Sequence, residues 1–179
     1  MRPTDAEECR QHPNGTTPRA AAHIRQEGGV GSTVAEVFIF VTHEDGESLM
    51  SIRSNRIWLP LLDTNRESIA RMSAMARQDG RPYRILCFTQ REDITDRLPK
   101  RSHKSGTISA VSVILATDED GDEEIVTSPD YHLPLAAVFP QAMRAMIQVA
   151  QATGQAFRVI RFGGREDVTE QFADHASTQ

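Results

Sequence analysis

Tyr83-Arg84-Ile85-Leu86-Cys87-Phe88-Thr89-Gln90-Arg91-Glu92-Asp93-Ile94-Thr95 is written again, 74 residues on, as Phe157-Arg158-Val159-Ile160-Arg161-Phe162-Gly163-Gly164-Arg165-Glu166-Asp167-Val168-Thr169. Extending the same shift outward without a gap lays residues 37–98 over 111–172, with 14 of 62 positions identical. Average residue usage gives about four by chance. The identities fall where a fold would need them: Leu59-Pro60-Leu61 lies over Leu133-Pro134-Leu135, and Gly80 over Gly154. The reading is an internal duplication, one small module written twice.

Each copy has the same coarse pattern. A strand rich in Val, Ile and Phe runs near 34–42 and again near 108–117. Asp45-Gly46 and Asp120-Gly121 mark hairpin turns, and second strands follow near 48–57 and 124–131. Leu-Pro-Leu closes the second strand. In the first copy Thr64-Asn65-Arg66-Glu67 fits a capping box, then Ile69, Met72, Met75 and Ala76 recur at helical spacing up to Gly80. In the second, Pro140 opens a helix carrying Met143, Met146, Ile147 and Ala150, ending at Gly154. Third strands are expected over 83–88 and 157–162. The expected fold class is therefore α+β: a tandem duplication of a ββαβ module, with two three-stranded, mostly antiparallel sheets and one helix each. A unit of about 60 residues buries a marginal core alone, so the two are expected to pack as a pseudo-symmetric pair.

The chain divides into a flexible tail (1–34), module one (35–98), a basic linker (99–110), module two (111–172) and a short tail (173–179). Net charge is −5, unevenly placed: the linker holds three basic groups and no acid, while residues 111–179 hold four basic and eleven acidic groups. A duplex-DNA binder concentrates its basic groups on one face, and this chain disperses them. No apolar run reaches eighteen residues, and the N-terminal stretch has no apolar segment of the signal-peptide kind. Two cysteines make no disulfide framework, so the expected compartment is the cytoplasm.

Candidate binding residues come from what both copies keep. Arg91-Glu92-Asp93 and Arg165-Glu166-Asp167 are charged, and a guanidinium in each could pair with a carboxylate or phosphate of a partner. The favoured alternative is local: Asp93 and Asp167 cap a short helical turn, Arg and Glu close the strand exit by a salt bridge, and Leu98 and Phe172 fold back on the core. Arg84 and Arg158 lie mid-strand among aromatics. A base-stacking sheet would need a glycine-aromatic spacing that is missing, and a cross-strand ion pair is the commoner use. Phe38 and Phe40 give the first strand a second apolar face where the other copy has Ser112 and Ile114, which suggests an asymmetric contact.

Asp118-Glu119-Asp120-Gly121-Asp122-Glu123-Glu124 lacks the glycine and glutamate spacing of a calcium loop and reads as a solvated turn. Gly163-Gly164 reads as a turn. No nucleophile, metal or cofactor signature stands out. The expectation is a small non-catalytic binding or regulatory protein that contacts another protein, without a cofactor or a membrane, and with room for an oligomer. Nucleic-acid binding through Arg84, Arg158, Arg91 and Arg165 is the alternative, and an enzyme with a site between the modules the second.

Overall fold

Every residue from Val37 to Val41 is apolar, and none of their side chains reaches solvent. A strand with no polar face must be covered on both sides, and the fold follows from how that is done. The computed structural model describes residues 31–54, 56–98 and 106–173. Most of both tails and of the basic linker therefore lies outside the described residues.

In chain order the elements are β1 (Val37–His43), β2 (Glu47–Leu49), β3 (Ser51–Ser54), β4 (Ile57–Pro60), β5 (Leu62–Asp63), α1 (Arg66–Asp79), β6 (Tyr83–Asp93), β7 (Val111–Thr117), β8 (Glu123–Ile125), β9 (Ala136–Ala137), α2 (Pro140–Thr153), β10 (Arg158–Asp167) and a 3-10 turn over Thr169–Phe172. The architecture is α+β. One large, curled, antiparallel sheet runs β2-β1-β6-β10-β7-β8, with β5 also pairing β1 and β9 also pairing β7. β3 and β4 form a separate hairpin.

Two three-stranded sheets were expected, and the eight-stranded sheet corrects that. β6 and β10 do not stop at Phe88 and Phe162. They continue through the polar Arg-Glu-Asp run and pair with each other, Leu86 opposite Asp167, Phe88 opposite Arg165, Arg91 opposite Phe162, and Asp93 opposite Ile160. Strand periodicity is read from apolar alternation, which ends at Phe88 and Phe162. The central seam sets the polar run of each strand opposite the apolar half of the other, so apolar alternation does not reveal it.

The second strands also differ from expectation. Val41 faces Leu49 and Leu115 faces Ile125, so the intervening turn is two residues longer in the later half and the gapless 74-residue shift slips there. The expected strand over 48–57 is interrupted. The chain leaves the sheet after Leu49, makes the β3–β4 hairpin, and returns as β5. Met50 marks the branch: its N–H donates to the Phe40 carbonyl and its own carbonyl accepts from Leu61. In the later half Val126 makes the same pair of bonds with Ile114 and Leu135, around a shorter loop closed by a Thr127–Pro134 bridge.

α1 begins one residue later than its capping box implied. Asn65, not Thr64, is the cap, and its side chain accepts from the N–H groups of Glu67 and Ser68. α2 opens on Pro140 with no side-chain cap. Both helices end in a left-handed glycine, Gly80 and Gly154.

Three apolar clusters hold these elements. One face of the sheet closes on a shared interior of Val37, Ile39, Val41, Leu86 and Phe88 with Val111, Val113, Leu115, Ile160 and Phe162. On the other face α1 covers Phe38, Phe40, Ile85 and Cys87 through Ile69 and Ala76, and α2 covers Ile114, Ala116 and Val159 through Met143 and Ala150. The ends are exchanged: Val168 and Phe172 complete the cluster under α1, and Ile94 and Leu98 the cluster under α2.

Candidate functional site

β2 and β8 each carry a glutamate whose side chain is only 5% exposed. A buried carboxylate needs hydrogen-bond donors to offset its desolvation. Glu47 accepts from Arg165, from Arg84 at 3.1 Å, and from the Ile108 N–H at 2.7 Å. Arg165 also donates to the Ile108 carbonyl at 3.0 Å. Glu123 accepts from Arg91 at 2.6 Å, from Arg158, and from the Val34 N–H at 3.0 Å, while Arg91 donates to the Val34 carbonyl at 2.9 Å. Each cluster thus joins β6 to β10 through a glutamate on the outermost strand, and fastens the segment entering the first strand of the other half.

Burial pushes Glu47 upward. The hydrogen bond from Arg165, the Ile108 N–H and the charges of Arg165 and Arg84 outweigh it and hold the carboxyl below its ordinary value. At Glu123 the Arg91 hydrogen bond is the strongest influence, and the group is again held low. A carboxylate lowered by folding stabilises the fold above its unfolded pKa, and that contribution is lost as pH falls through the folded value. Stability is therefore expected to decline as pH drops below about 4.5, the ordinary value of both groups. Urea unfolding at a series of pH values checks this, and Glu123→Gln should flatten the profile on the acid side.

The Asp-[Ile/Val]-Thr runs form a crossed clamp. Asp93 accepts from the Thr95 N–H at 3.0 Å and from its hydroxyl at 2.7 Å, and Thr95 Oγ1 accepts the Val159 N–H at 2.9 Å. Ile94 donates to the Val159 carbonyl at 2.9 Å. Likewise Asp167 accepts from the Thr169 N–H and hydroxyl, Thr169 Oγ1 accepts the Ile85 N–H, and Val168 donates to the Ile85 carbonyl. The aspartates hold the threonines that dock. They do not cap a helix, for the 3-10 turn is capped by Val168 without a side-chain bond. The Thr95 hydroxyl holds Asp93 below its ordinary pKa; burial raises Asp167, and Thr169 together with Arg84 more than offsets it. Asp93→Ala is expected to cost about 1 kcal/mol, the usual worth of such bonds at an exposed carboxylate, read as a shift in urea midpoint.

The remaining sequence candidates separate. The strand-exit salt bridge between Arg91 and Glu92 does not form, because Arg91 reaches Glu123 while Glu92 faces Arg161 at 3.7 Å. Arg84 has its cross-strand acid, Asp167, at 3.5 Å. Glu166 is exposed opposite Cys87. Phe38 and Phe40 are fully buried: the Phe38 ring meets Phe172 edge-on at 5.9 Å beneath the Arg66 guanidinium, and Phe40 packs against Tyr83 with the rings tilted by 39°. Gly163 and Gly164 lie inside β10, not in a turn. Gly164 has φ +67°, and a Cβ there would come within 2.5 Å of the Gln90 side chain. Burial lifts the Cys87 thiol to about 11. Among the described residues no group of acids, histidines and cysteines is placed to hold a metal, and no helix is long and apolar enough to cross a membrane. The Asp118 carboxylate closes its own turn by accepting from the N–H groups of Asp120 and Asp122.

One feature was not found from sequence. A groove of about 490 Å³ lies between β4, β5 and α1 on one side and β8 with the 127–134 loop on the other. Its lining is mainly apolar, from Leu59, Met72, Met75, Ile125 and Leu133, with Asp63 and Glu124 beside it. Met75 looked like a core position, but Ile69, Ser73 and Ala76 take the buried face of α1 and leave Met75 40% exposed. The clue was a stripe too wide for one face, with Met75 and Ala76 adjacent. Comparison of the chain with models of known families, with curated proteins and with solved structures gives no match.

Proposed function

We propose that this is a duplicated, non-catalytic cytoplasmic protein, binding or regulatory, that works by contact with another protein. The duplication is supported by bonds that recur 74 residues apart and in exchange. Arg91 reaches across to the Val34 carbonyl as Arg165 does to that of Ile108, and Thr95 takes the Val159 N–H as Thr169 takes that of Ile85.

The observation that carries the protein-contact reading is the groove. It is concave, mostly apolar and lined by two methionines, a side chain suited to adaptable binding surfaces. The reading is preferred over nucleic-acid binding because Arg84, Arg91, Arg158 and Arg165 are already bonded to Glu47 or Glu123. It is preferred over an enzyme between the halves because the threonine clamps occupy Asp93 and Asp167.

The test is site-specific photocrosslinking in host cells. p-Benzoyl-phenylalanine placed at Met75 is expected to give a protein adduct, and the same group at exposed Val149 on α2 is not. No adduct at Met75, or the same adducts at both positions, would overturn the reading.

A further inference from the structure

We propose that the groove takes an extended segment of a partner protein in which apolar and basic side chains alternate. This rests on the protein-contact reading and names the chemistry of the contact. Two observations point to it.

The first is the nature of the walls. β5 has β1 as its strand neighbour and β8 has β7, so the groove lies between the two places where the curled sheet stops. A partner that runs extended between such walls can place every second side chain against the apolar lining of Leu59, Met72, Met75 and Ile125, since side chains alternate along a strand.

The second is charge. Asp63 and Glu124 line the groove, and the lining contains neither lysine nor arginine. Glu123 also borders it, but Arg91 and Arg158 already offset that charge. Glu124 is exposed, and His132 is the one imidazole in a lining without lysine or arginine. Asp63 already accepts from the Thr64 and Asn65 N–H groups, so the side chains of the segment that turn away from the apolar lining meet the Glu124 carboxylate, and Lys or Arg complements it.

The experiment uses the full chain and an eight-residue fluorescein-labelled peptide of alternating Leu and Lys. Leu/Glu and Ser/Lys peptides of equal length serve as controls, and binding is read by fluorescence anisotropy at low and high salt. The Leu/Lys peptide is expected to bind and both controls to fail. Glu124→Lys and Met75→Asp should each weaken binding about tenfold or more. Glu170→Lys, on the 3-10 turn outside the groove, should leave it unchanged. Circular dichroism checks that each variant is folded.

Equal loss in Glu170→Lys would reduce the effect to bulk attraction between a basic peptide and an acidic protein, and would overturn the proposal. So would equal binding of the Leu/Glu peptide. A dimer seen by sedimentation that Met75→Asp dissolves would make the occupant a second copy of this chain, again overturning it. If a protein crosslinks at Met75 but the Leu/Lys peptide does not bind, the basic-apolar chemistry falls and the protein-contact reading stands. If the peptide binds as expected but no protein crosslinks at Met75, the site is real and the protein-contact reading falls.

Discussion

Phe38→Ser is expected to lower the stability of the fold by about 3 kcal/mol or more, the range for removing a fully buried aromatic. The ring is wholly enclosed and touches Phe172 at the far end of the chain. Serine would leave a cavity between α1 and the sheet and put a hydroxyl in it. The 3-10 turn would also lose the ring that Phe172 packs against. Trp58, on the β3–β4 hairpin and 62% exposed, is the control. Trp58→Ser should move the urea midpoint little, because a substitution at an exposed site away from such features usually changes stability by about 0.5 kcal/mol or less. A Phe38→Ser protein as stable as the parent would show that Phe38 is not the centre of the cluster under α1.

Glu123→Ala is the other large effect, with an expected cost of about 2 kcal/mol. Removing one partner of a buried ion pair typically costs about 3–5 kcal/mol, because the partner keeps its charge and loses its compensation. Here the figure is discounted, since Arg158 is half exposed and can turn to water. Arg91, 23% exposed, has less freedom, and the Val34 N–H loses its acceptor. Replacing both Glu123 and Arg91 by methionine should recover part of the loss. A double variant no better than the single one would mean that the carboxylate acts on Val34 and Arg158 alone. Chemical denaturation of the parent and the two variants at neutral pH decides between them.

What could be read from sequence was whatever apolar spacing reveals. The all-apolar run from Val37, the helices ending at Gly80 and Gly154, and the return of Leu98 and Phe172 to the core were all legible that way. The seam between β6 and β10 was not, because in it the Arg-Glu-Asp run of each strand lies opposite the apolar half of the other, and those partners come from distant parts of the chain. Nothing near Arg91 in sequence announces Glu123, and nothing near Thr95 announces the Val159 N–H. The β3–β4 hairpin was hidden for a different reason. Its residues have strand composition, so a strand that leaves the sheet and returns looks like one long strand. The groove depends on that excursion, since β4 and β5 form one of its walls.

The crossed clamp bears on how the protein is made. Synthesis proceeds from the N-terminus, and domains tend to fold as they emerge from the ribosome. β1, α1 and β6 are complete early, yet the Ile85 N–H waits for Thr169, and Glu47 waits for an arginine 118 residues further along. Until β10 is delivered, β6 lacks the strand that covers one of its edges, and such an edge invites pairing with neighbouring nascent chains. A message truncated just before Arg158 would release a chain with β1 and β6 formed and that edge bare. Such a fragment is expected to sediment with aggregates, while the full-length product, its last strand in place, stays in solution.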